Sequence, residues 1–481
     1  MRKKVKKNMK KTLACIMAAL TLAGCLAGCG GNAPAESTES TESTPAADSA
    51  QSTENTETPV EDTAAAEGEN QEASADTQEE ITFTWMINKV EIKNELEEVA
   101  QAYMDSHENI TIITEVAGGS VEPYGTRLKA KLGSNDMPAL FVTEGPSDYE
   151  MFDEYLVDLS DTKLAGMADD SLLAVSTMNG EVKALPMAIE GFGIIYNKTI
   201  FEQAGINPDE ITSMEALREA AQLLDSKKDE LGLEAVFCLP GKETWIIGSH
   251  MGSAFLNGEF EQPADAWNSP VLEWENQAAY KDFIDLQVEY GIVPQGDTKN
   301  VVNLTYSDQI EKGFALGRVA MVHNGNWVSQ IIKGISPEMI ENDEIGFLPT
   351  PIPGYREDCV RVIGTPYISL NAKLDESVQK AAMDFLEWLY TSEEGKDLVV
   401  NKLNMIPPYE GFEGYAIEDP LGADLLEYIA AGRTLPSLQN NCPSGFKNFM
   451  GEKVQEYLTG KDWDACVAEM IDKWAELASS N

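Results

Sequence analysis

The sequence predicts an α/β protein, because short apolar strands alternate with amphipathic helices from residue 81 almost to the C-terminus. Thr82–Ile87 and Ile110–Val116 are short runs of β-prone residues. Between them, apolar residues recur at helical spacing: Ile92, Leu96, Val99, Ala100 and Tyr103. Strand, helix and strand in this order indicate a βαβ unit and a parallel sheet. A chain of 481 residues is also too long for one hydrophobic core, so we expect two domains.

The same alternation continues along the chain. A helix is expected around Tyr124–Leu132, and buried strands are expected at Pro138–Val142 and at Val319–Val322. Thr391 and Glu394 fit a capping box in which Thr391 is the N-cap. The final helix presents one apolar face, formed by Trp463, Val467, Met470, Ile471 and Trp474.

The charge of the chain argues against two classes of partner. The formal net charge is −46, whereas nucleic-acid binding needs basic side chains that neutralise phosphates. A basic membrane-binding surface is disfavoured for the same reason. We therefore expect a solvated acidic surface and no nucleic-acid partner.

Residues 1–29 have the pattern of a lipoprotein signal peptide. Basic residues between Arg2 and Lys11 precede an apolar stretch, Leu13–Leu22, that is too short to span a bilayer. Two small-residue sites follow and resemble the lipobox of bacterial lipoproteins, so either Cys25 or Cys29 is expected to carry the lipid. An ordinary secretory signal is the alternative interpretation.

Residues 30–80 are acidic, are rich in Ser, Thr, Glu and Pro, and contain no aromatic residue and no Lys or Arg. Such a segment buries too little apolar surface to offset its backbone entropy, so we expect a disordered tether. An ordinary interdomain spacer is the alternative.

No motif typical of catalysis or metal binding is found in the sequence. The cysteines that follow the signal are too far apart for a CxxC site: Cys238, Cys359, Cys442 and Cys466. We expect them to be buried, and a disulfide between Cys442 and Cys466 stays open. Three histidines are too few for a His-rich metal site. We expect no catalytic residue, no metal and no cofactor.

Four segments, in order, resemble motifs of the family 1 extracellular solute-binding proteins of ABC transporters, to which maltose-binding protein belongs. They are ALPMAIEGFGIIYNKTIFEQAGI at 184–206, FALGRVAMVHNGNW at 314–327, FLPTPIPG at 347–354 and the strand–helix segment at 364–399. The resemblance runs from Thr82 almost to the C-terminus. Together with the lipobox and the tether, this order of motifs identifies the chain as similar to a sugar-binding lipoprotein of that family.

The resemblance implies a two-lobe, type II periplasmic-binding-protein-like fold with a ligand cleft and a hinge between the lobes. Mapped onto this chain, the first lobe is expected to contain residues 81–186 and 350–405. The second lobe is expected to contain residues 187–345 and 406–481.

The same resemblance implies a function in transport. The expected ligand is a carbohydrate, most readily an oligosaccharide, and the expected protein partners are ABC permease subunits in the membrane. A monomer, lipid-anchored at the outer face of the cytoplasmic membrane, is expected to bind and release the sugar without any enzymatic step.

The polar stretch after Val319–Val322 is the first candidate ligand site. In open α/β sheets, ligands bind beyond the carboxyl ends of strands. There, Asn324 and Asn326 offer amide groups suited to hydroxyls, and Gly325 allows a sharp turn or close approach to a ligand. By resemblance, Trp327 stacks on a sugar ring. The alternative is a core tryptophan that starts the next helix.

Glu190 is the second candidate, because a charge within the apolar run 185–195 is costly unless it is paired or hydrated. The family motif has a sugar-binding Glu at this position, and a carboxylate can accept two hydrogen bonds from hydroxyls. An interlobe salt bridge is the alternative.

The resemblance also points to several weaker candidates, for which a core or surface position is an equal expectation. The loop TEGPSDYE lacks the aromatic-plus-Arg pattern of the better-studied relatives. The weaker candidates are Trp85, Asn88, Lys89, Glu144, Ser147, Asp148, Tyr149, Trp245, Gly364, Thr365 and Tyr367.

Three other functions stay open at the level of sequence. The same fold could bind a polyamine, a peptide or another solute, and an acidic cleft would suit a polyamine. A secreted glycoside hydrolase would need two carboxylates that flank the scissile bond, and no such pair stands out. A purely structural surface lipoprotein would show no closure on a ligand.

Overall fold

A computed structural model describes residues 79–118, 123–260 and 263–479 of the chain. The signal peptide, with Cys25 and Cys29, and nearly all of the tether lie outside the described residues. Among the described helices, none combines the length and the apolar character needed to cross a bilayer. The four cysteines within the described residues are buried, as expected, and all are free thiols, so Cys442 and Cys466 are not paired.

Short strands and helices alternate through the described residues. In chain order, the strands are β1 (Ile81–Ile87), β2 (Ile110–Val116), β3 (Leu140–Thr143), β4 (Thr177–Met178), β5 (Glu181–Val182), β6 (Leu185–Pro186), β7 (Ile189–Asn197), β8 (Ala235–Phe237), β9 (Val319–Gly325), β10 (Ile345–Leu348), β11 (Val360–Gly364), β12 (Tyr367–Leu370) and β13 (Thr434–Pro436). The α-helices are α1 (Lys93–Ser106), α2 (Tyr124–Ser134), α3 (Pro146–Phe152), α4 (Asp170–Ser176), α5 (Lys198–Ala204), α6 (Met214–Ser226), α7 (Lys228–Leu231), α8 (Pro263–Asn268), α9 (Gln277–Glu289), α10 (Tyr306–Gln309), α11 (Ser329–Ile335), α12 (Pro337–Glu341), α13 (Glu376–Thr391), α14 (Glu393–Asp397), α15 (Pro420–Ala430), α16 (Phe446–Leu458) and α17 (Trp463–Ala478).

The first sheet has the strand order β2-β1-β3-β12-β6. β1 is parallel to both β2 and β3, which confirms the predicted βαβ unit. β12 comes from a distant part of the chain and runs antiparallel to β3. Helices α1 and α13 bury Val99 and Phe385 in the same apolar core as Phe141 of β3. These elements form the first lobe.

The second sheet has the strand order β13-β11-β7-β9-β8, and β10 also pairs with β7. Its central strand β7 is antiparallel to both β9 and β11. The sheet packs into apolar cores that are separate from that of the first lobe. One of them contains the buried face of α17, with Trp463 and Trp474, as the sequence predicts. The two-lobe α/β fold is therefore confirmed.

The chain crosses between the sheets at neighbouring places, and these crossing segments are hydrogen-bonded to one another. Met187 N–H donates to the Pro366 carbonyl at 2.8 Å, and Thr365 N–H donates to the Ala188 carbonyl at 2.8 Å. Ile189 N–H donates to the Ile406 carbonyl at 2.8 Å. This joined set of backbones is the hinge between the lobes.

The sheets divide the chain differently from the sequence-based boundaries. Residues 350–364 were expected in the first lobe, but β11 pairs with β7 and so belongs to the second. Conversely, Tyr409 and Phe412 were expected in the second lobe, but they pack into the first core. Both differences arise from pairing between distant segments, which local sequence patterns do not report.

The predicted capping box is wrong by one residue. Thr391 ends α13, and its hydroxyl donates to the Glu387 carbonyl at 2.7 Å. Ser392 has the extended backbone of an N-cap and accepts the Gly395 N–H at 2.9 Å. The chain continues its helix through Thr391, so the break that needs capping falls at Ser392.

Candidate functional site

A small pocket lies between the lobes, next to the hinge. It has a volume of about 20 Å³, which is room for about one water molecule. The lobes are therefore closed on each other. The residues that line the pocket are Lys89, Glu91, Ile92, Ala188, Ile189, Glu190, Asn326, Trp327, Gln330, Leu403, Asn404 and Met405.

Three charged side chains meet at this pocket, and we call Lys89, Glu91 and Glu190 the hinge triad. The Lys89 ammonium bonds to the Glu190 carboxylate across the lobes. The same ammonium lies 3.6 Å from Glu91 Oε1. Only 11%, 9% and 8% of the side chains of Lys89, Glu91 and Glu190 are exposed. Two buried carboxylates thus share one ammonium.

The pKa shifts in the hinge triad follow from this crowding. Burial lowers the pKa of Lys89, but Glu190 and Glu91 outweigh burial and the net pKa is raised. Burial raises the pKa of the Glu190 carboxyl, and the Lys89 ammonium offsets this only in part. Glu91 adds to the rise, because two nearby negative charges repel each other.

Trp327 lies opposite the hinge triad and is half-buried. It belongs to a 3₁₀ turn, Asn326–Val328, that leads from β9 into α11. The Lys89 Nζ is 5.4 Å from the centroid of its ring, within the range of a cation–π contact. Trp327 therefore starts the next helix and also presents its ring to the pocket.

Gly325 is needed for the position of that ring, and not for a turn. Its φ is −120°, an extended backbone that any residue can adopt. A Cβ added at Gly325 would lie 1.9 Å from Cζ3 of Trp327. Only glycine leaves room for the indole to fold back over the strand end.

A series of aromatic contacts leads from Trp327 into the second lobe. The His250 ring is 5.2 Å from the Trp327 ring, and Trp245 is 5.1 Å from His250. Tyr306 is 5.4 Å from Trp245. His250 is buried and leaves Nδ1 without a hydrogen-bond partner among the described residues. Burial lowers the pKa of His250 well below its usual range, so the imidazole is neutral.

A second charged contact also joins the lobes, and we call Glu144 and Lys447 the second interlobe pair. The Lys447 ammonium contacts a Glu144 carboxylate oxygen at 2.5 Å. The Ser147 hydroxyl donates to that of Ser444 at 2.7 Å beside it. The positive charge of Lys447 lowers the pKa of the Glu144 carboxyl. This pair is more open to solvent, with 25% of Lys447 and 40% of Glu144 exposed.

The two predicted amide contacts are engaged inside the protein. β9 continues through Gly325, three residues beyond the predicted strand, so Asn324 is fully buried. Its amide nitrogen donates to Gln309 Oε1 at 2.8 Å. Asn326 lines the pocket, but its side-chain Oδ1 accepts the Gly191 N–H at 3.0 Å and so ties the end of β9 to β7. The expected exposure of Asn324 in the cleft is therefore wrong.

Three of the weaker aromatic candidates lie in the first lobe, away from the pocket lining. Trp85 is fully buried and packs against Phe385 at 5.2 Å. Tyr367 is buried, and its hydroxyl donates to the Leu172 carbonyl at 2.8 Å. Tyr149 is fully buried as well. These rings stabilise the lobe and do not face the cleft.

The polar candidates of the first lobe gather at the second interlobe pair. Asn88 lies beside the Glu144 carboxylate and helps to lower its pKa. Asp148 accepts the Glu144 backbone N–H at 2.8 Å, so it orders this loop. Gly364 is the last residue of β11, and Thr365 follows it in the hinge.

Sequence reasoning missed several residues of this region: Glu91, His250, Tyr306, Gln330 and Lys447. His250 lies in a π-helical segment, Trp245–Gly252, whose type no apolar periodicity indicates. Glu91 lies two residues after Lys89 of the flagged pair Asn88 and Lys89, and this proximity was the available signal. Lys447 is far along the chain from its partner Glu144.

The family model described as bacterial extracellular solute-binding protein matches residues 98–414. The melibiose/raffinose/stachyose-binding protein MelE of Bacillus subtilis (strain 168) is 23% identical over 342 residues, which cover 68% of this chain and 74% of that protein.

Two solved structures share the fold. A chitin oligosaccharide binding protein matches with a TM-score of 0.68 and 22% identity, over 83% of this chain and 99% of that one. The binding protein RafE in complex with raffinose matches with a TM-score of 0.65 and 20% identity, over 83% of this chain and 100% of that one. At this identity, the structural matches concern the fold alone.

Proposed function

Because this chain belongs to the family of bacterial extracellular solute-binding proteins, we propose that it captures an oligosaccharide between its lobes and delivers it to the permease of an ABC importer. The observation that carries the proposal is the indole face of Trp327, presented to an interlobe pocket beside Glu190. Relatives whose names specify melibiose, raffinose, stachyose or chitin oligosaccharides support the ligand class.

The chemistry of the pocket suits a sugar. A sugar ring has an apolar C–H face, which can stack on Trp327, and hydroxyls at its edges. Glu190 can accept charge-assisted hydrogen bonds from these hydroxyls. Gln330 carries both donors and acceptors and lines the same pocket. Binding and orientation require no covalent step, so the protein acts as a carrier and not as an enzyme.

Entry of the sugar requires the lobes to separate. The closed pocket has room for about one water molecule, so a sugar ring cannot enter it. Opening at the hinge breaks the contact of Lys89 with Glu190 and uncovers the Trp327 ring. Closure around a ligand is an established motion of two-lobe binding proteins, and the closed form is the one that docks on the permease in this proposal.

The proposal includes a membrane anchor. Lipid attached to Cys25 or Cys29 would hold the binding domain, as a monomer, at the outer face of the cytoplasmic membrane, with residues 30–80 as the tether. Cells that express Cys25→Ala, Cys29→Ala or the double variant can be labelled with a palmitate analogue. Label that survives in the double variant would contradict the anchor.

Calorimetric titration of residues 79–481 with a panel of oligosaccharides tests the ligand. Trp327→Ala is expected to weaken binding of the sugar by about 2 kcal/mol, or roughly thirtyfold in Kd, because a central aromatic contact is removed. Trp388→Ala is the matched control, since Trp388 packs against Tyr103 and Phe385 on the first lobe.

The control is expected to leave affinity unchanged. If no oligosaccharide binds while a peptide or a simple polyamine does, the carbohydrate assignment is wrong. Equal affinity of wild type and Trp327→Ala would remove Trp327 from the ligand site.

A further inference from the structure

The charges that line the interlobe pocket do not balance. Its lining contains one cationic side chain, Lys89, and two anionic ones, Glu91 and Glu190. Each of these side chains is about nine-tenths buried. A buried charge is costly unless it is paired and hydrogen-bonded. The pocket is therefore one positive charge short.

Glu91 is the carboxylate that is held more weakly, because one ammonium cannot neutralise two carboxylates. The Lys89 ammonium is bonded to Glu190, and its distance to Glu91 is 3.6 Å, which is beyond a hydrogen bond. The other neighbours do not supply a charge, because the lining beyond the hinge triad is neutral and His250 holds no proton. A cation placed between Glu91 and Glu190 would complete the charge balance.

The contacts of the Lys89 ammonium indicate how the pocket can bind a cationic amine. The Lys89 Nζ contacts a carboxylate on one side and lies 5.4 Å from the Trp327 ring centroid on the other. An aromatic face together with carboxylates is a favourable environment for a cationic amine. Lys89 reaches this position from the first lobe, two residues after the end of β1.

We propose that the ligand is a saccharide that carries a protonated amine, an amino sugar, whose ammonium binds among Glu91, Glu190 and the face of Trp327. This inference rests on the proposed function, since it names the sugar class that the cleft selects. The amine neutralises the second carboxylate while the sugar ring stacks on the indole. A neutral sugar could use the stacking face, but it would leave the charge of Glu91 unbalanced.

The test compares matched saccharides that differ in one substituent. Glucosamine oligosaccharides are titrated against their N-acetyl counterparts and against glucose oligosaccharides of the same length and linkage. The free amine is expected to bind at least about tenfold more tightly than either neutral counterpart, which corresponds to about 1.4 kcal/mol. Putrescine serves as an amine without a sugar and is expected to bind more weakly than the amino sugar.

Glu91→Gln is the diagnostic variant, because it removes the unbalanced charge and keeps the shape of the side chain. It is expected to lower affinity for the amino sugar to that for the neutral sugars, so that the preference for the amine is lost. Glu202→Gln, which changes one exposed carboxylate on α5, makes the same change in net charge and is expected to keep the preference. The melting temperature of each variant verifies that it is folded.

The possible failures of the two proposals are distinguishable. If neutral oligosaccharides bind as tightly as their amine counterparts, or if putrescine matches the amino sugar, the amino-sugar inference is overturned and saccharide binding can still stand. An undiminished preference for the amine in Glu91→Gln overturns the role of the hinge triad. If no saccharide of any kind binds, the proposed function itself fails.

Discussion

The hinge triad and the second interlobe pair use the same residue types to join the same two lobes, yet their surroundings differ. In the triad, Lys89 and Glu190 are about nine-tenths buried, and Glu91 adds a second negative charge. In the second interlobe pair, 25% of Lys447 and 40% of Glu144 remain exposed. Solvent screens the second pair, whereas the triad must satisfy its charges internally. Burial, and not the type of ion pair, decides what each contact contributes.

Removal of the lysine from each site should produce the largest difference between them in the free energy of unfolding. Lys89→Met leaves two carboxylates without a partner in a buried site, so we expect a loss of about 3–5 kcal/mol in the free energy of unfolding. Lys447→Met leaves Glu144 partly hydrated, and we expect a loss of at most about 1 kcal/mol. Urea denaturation of the two variants measures both values. Equal losses would show that burial does not govern these contacts.

Acid should act on the two sites in opposite directions. The pKa of Glu190 is raised in the folded protein above its ordinary value of 4.5, so the folded state takes up a proton first and gains stability as the pH falls toward 4.5. The pKa of Glu144 is lowered from 4.5. Its contribution is present above 4.5 and is lost as the pH falls through the lowered pKa.

Thermal denaturation between about pH 8 and about pH 3 measures this difference. Glu190→Gln should remove the gain in stability that occurs as the pH falls toward 4.5. Glu144→Gln should remove the loss of stability that occurs as the pH falls below 4.5. Asp136→Asn, at an exposed carboxylate of the first lobe, is a control for net charge. Two variants with the same pH profile would contradict the opposite pKa shifts.

Added salt should have the smallest effect, and it should weaken the exposed ion pair more than the buried one. Raising the ionic strength from about 0.01 M to about 1 M shortens the Debye length from about 30 Å to about 3 Å. The coupling energy between Glu144 and Lys447, measured by a double-mutant cycle, is about 1 kcal/mol or less at low salt and should fall toward zero. The coupling between Lys89 and Glu190 should change little. A fall of equal size in both would contradict the assigned burial.

Much of the fold follows from local sequence patterns. The first βαβ unit and the apolar face of α17 were predicted because their periodicity is strong. The assignment of β11 to the second sheet was missed, since it depends on pairing with β7, which precedes it by more than 160 residues. The capping box failed because two residue types that both favour N-caps stand side by side at 391 and 392.

The candidate site was predictable only in part, for a related reason. Trp327 and Glu190 were found through motif resemblance, and both line the pocket. The burial of Asn324 was missed because its hydrogen-bond partner, Gln309, lies on another element, α10. The charge imbalance was missed because Glu91 and Glu190 are nearly a hundred residues apart and come together at Lys89 from different lobes. Their spacing in sequence carries no sign of this contact.

Gly325 and Trp327 have a further consequence when they are considered as targets of mutation. Gly325 is not among the side chains that line the pocket, yet a single methyl group there would overlap the indole ring. The position of the Trp327 ring thus depends on glycine at 325, and the two residues must be retained together. A mutational survey restricted to pocket-lining positions would overlook the glycine, and a library that varied position 325 freely would lose the aromatic face while leaving the Trp327 codon intact.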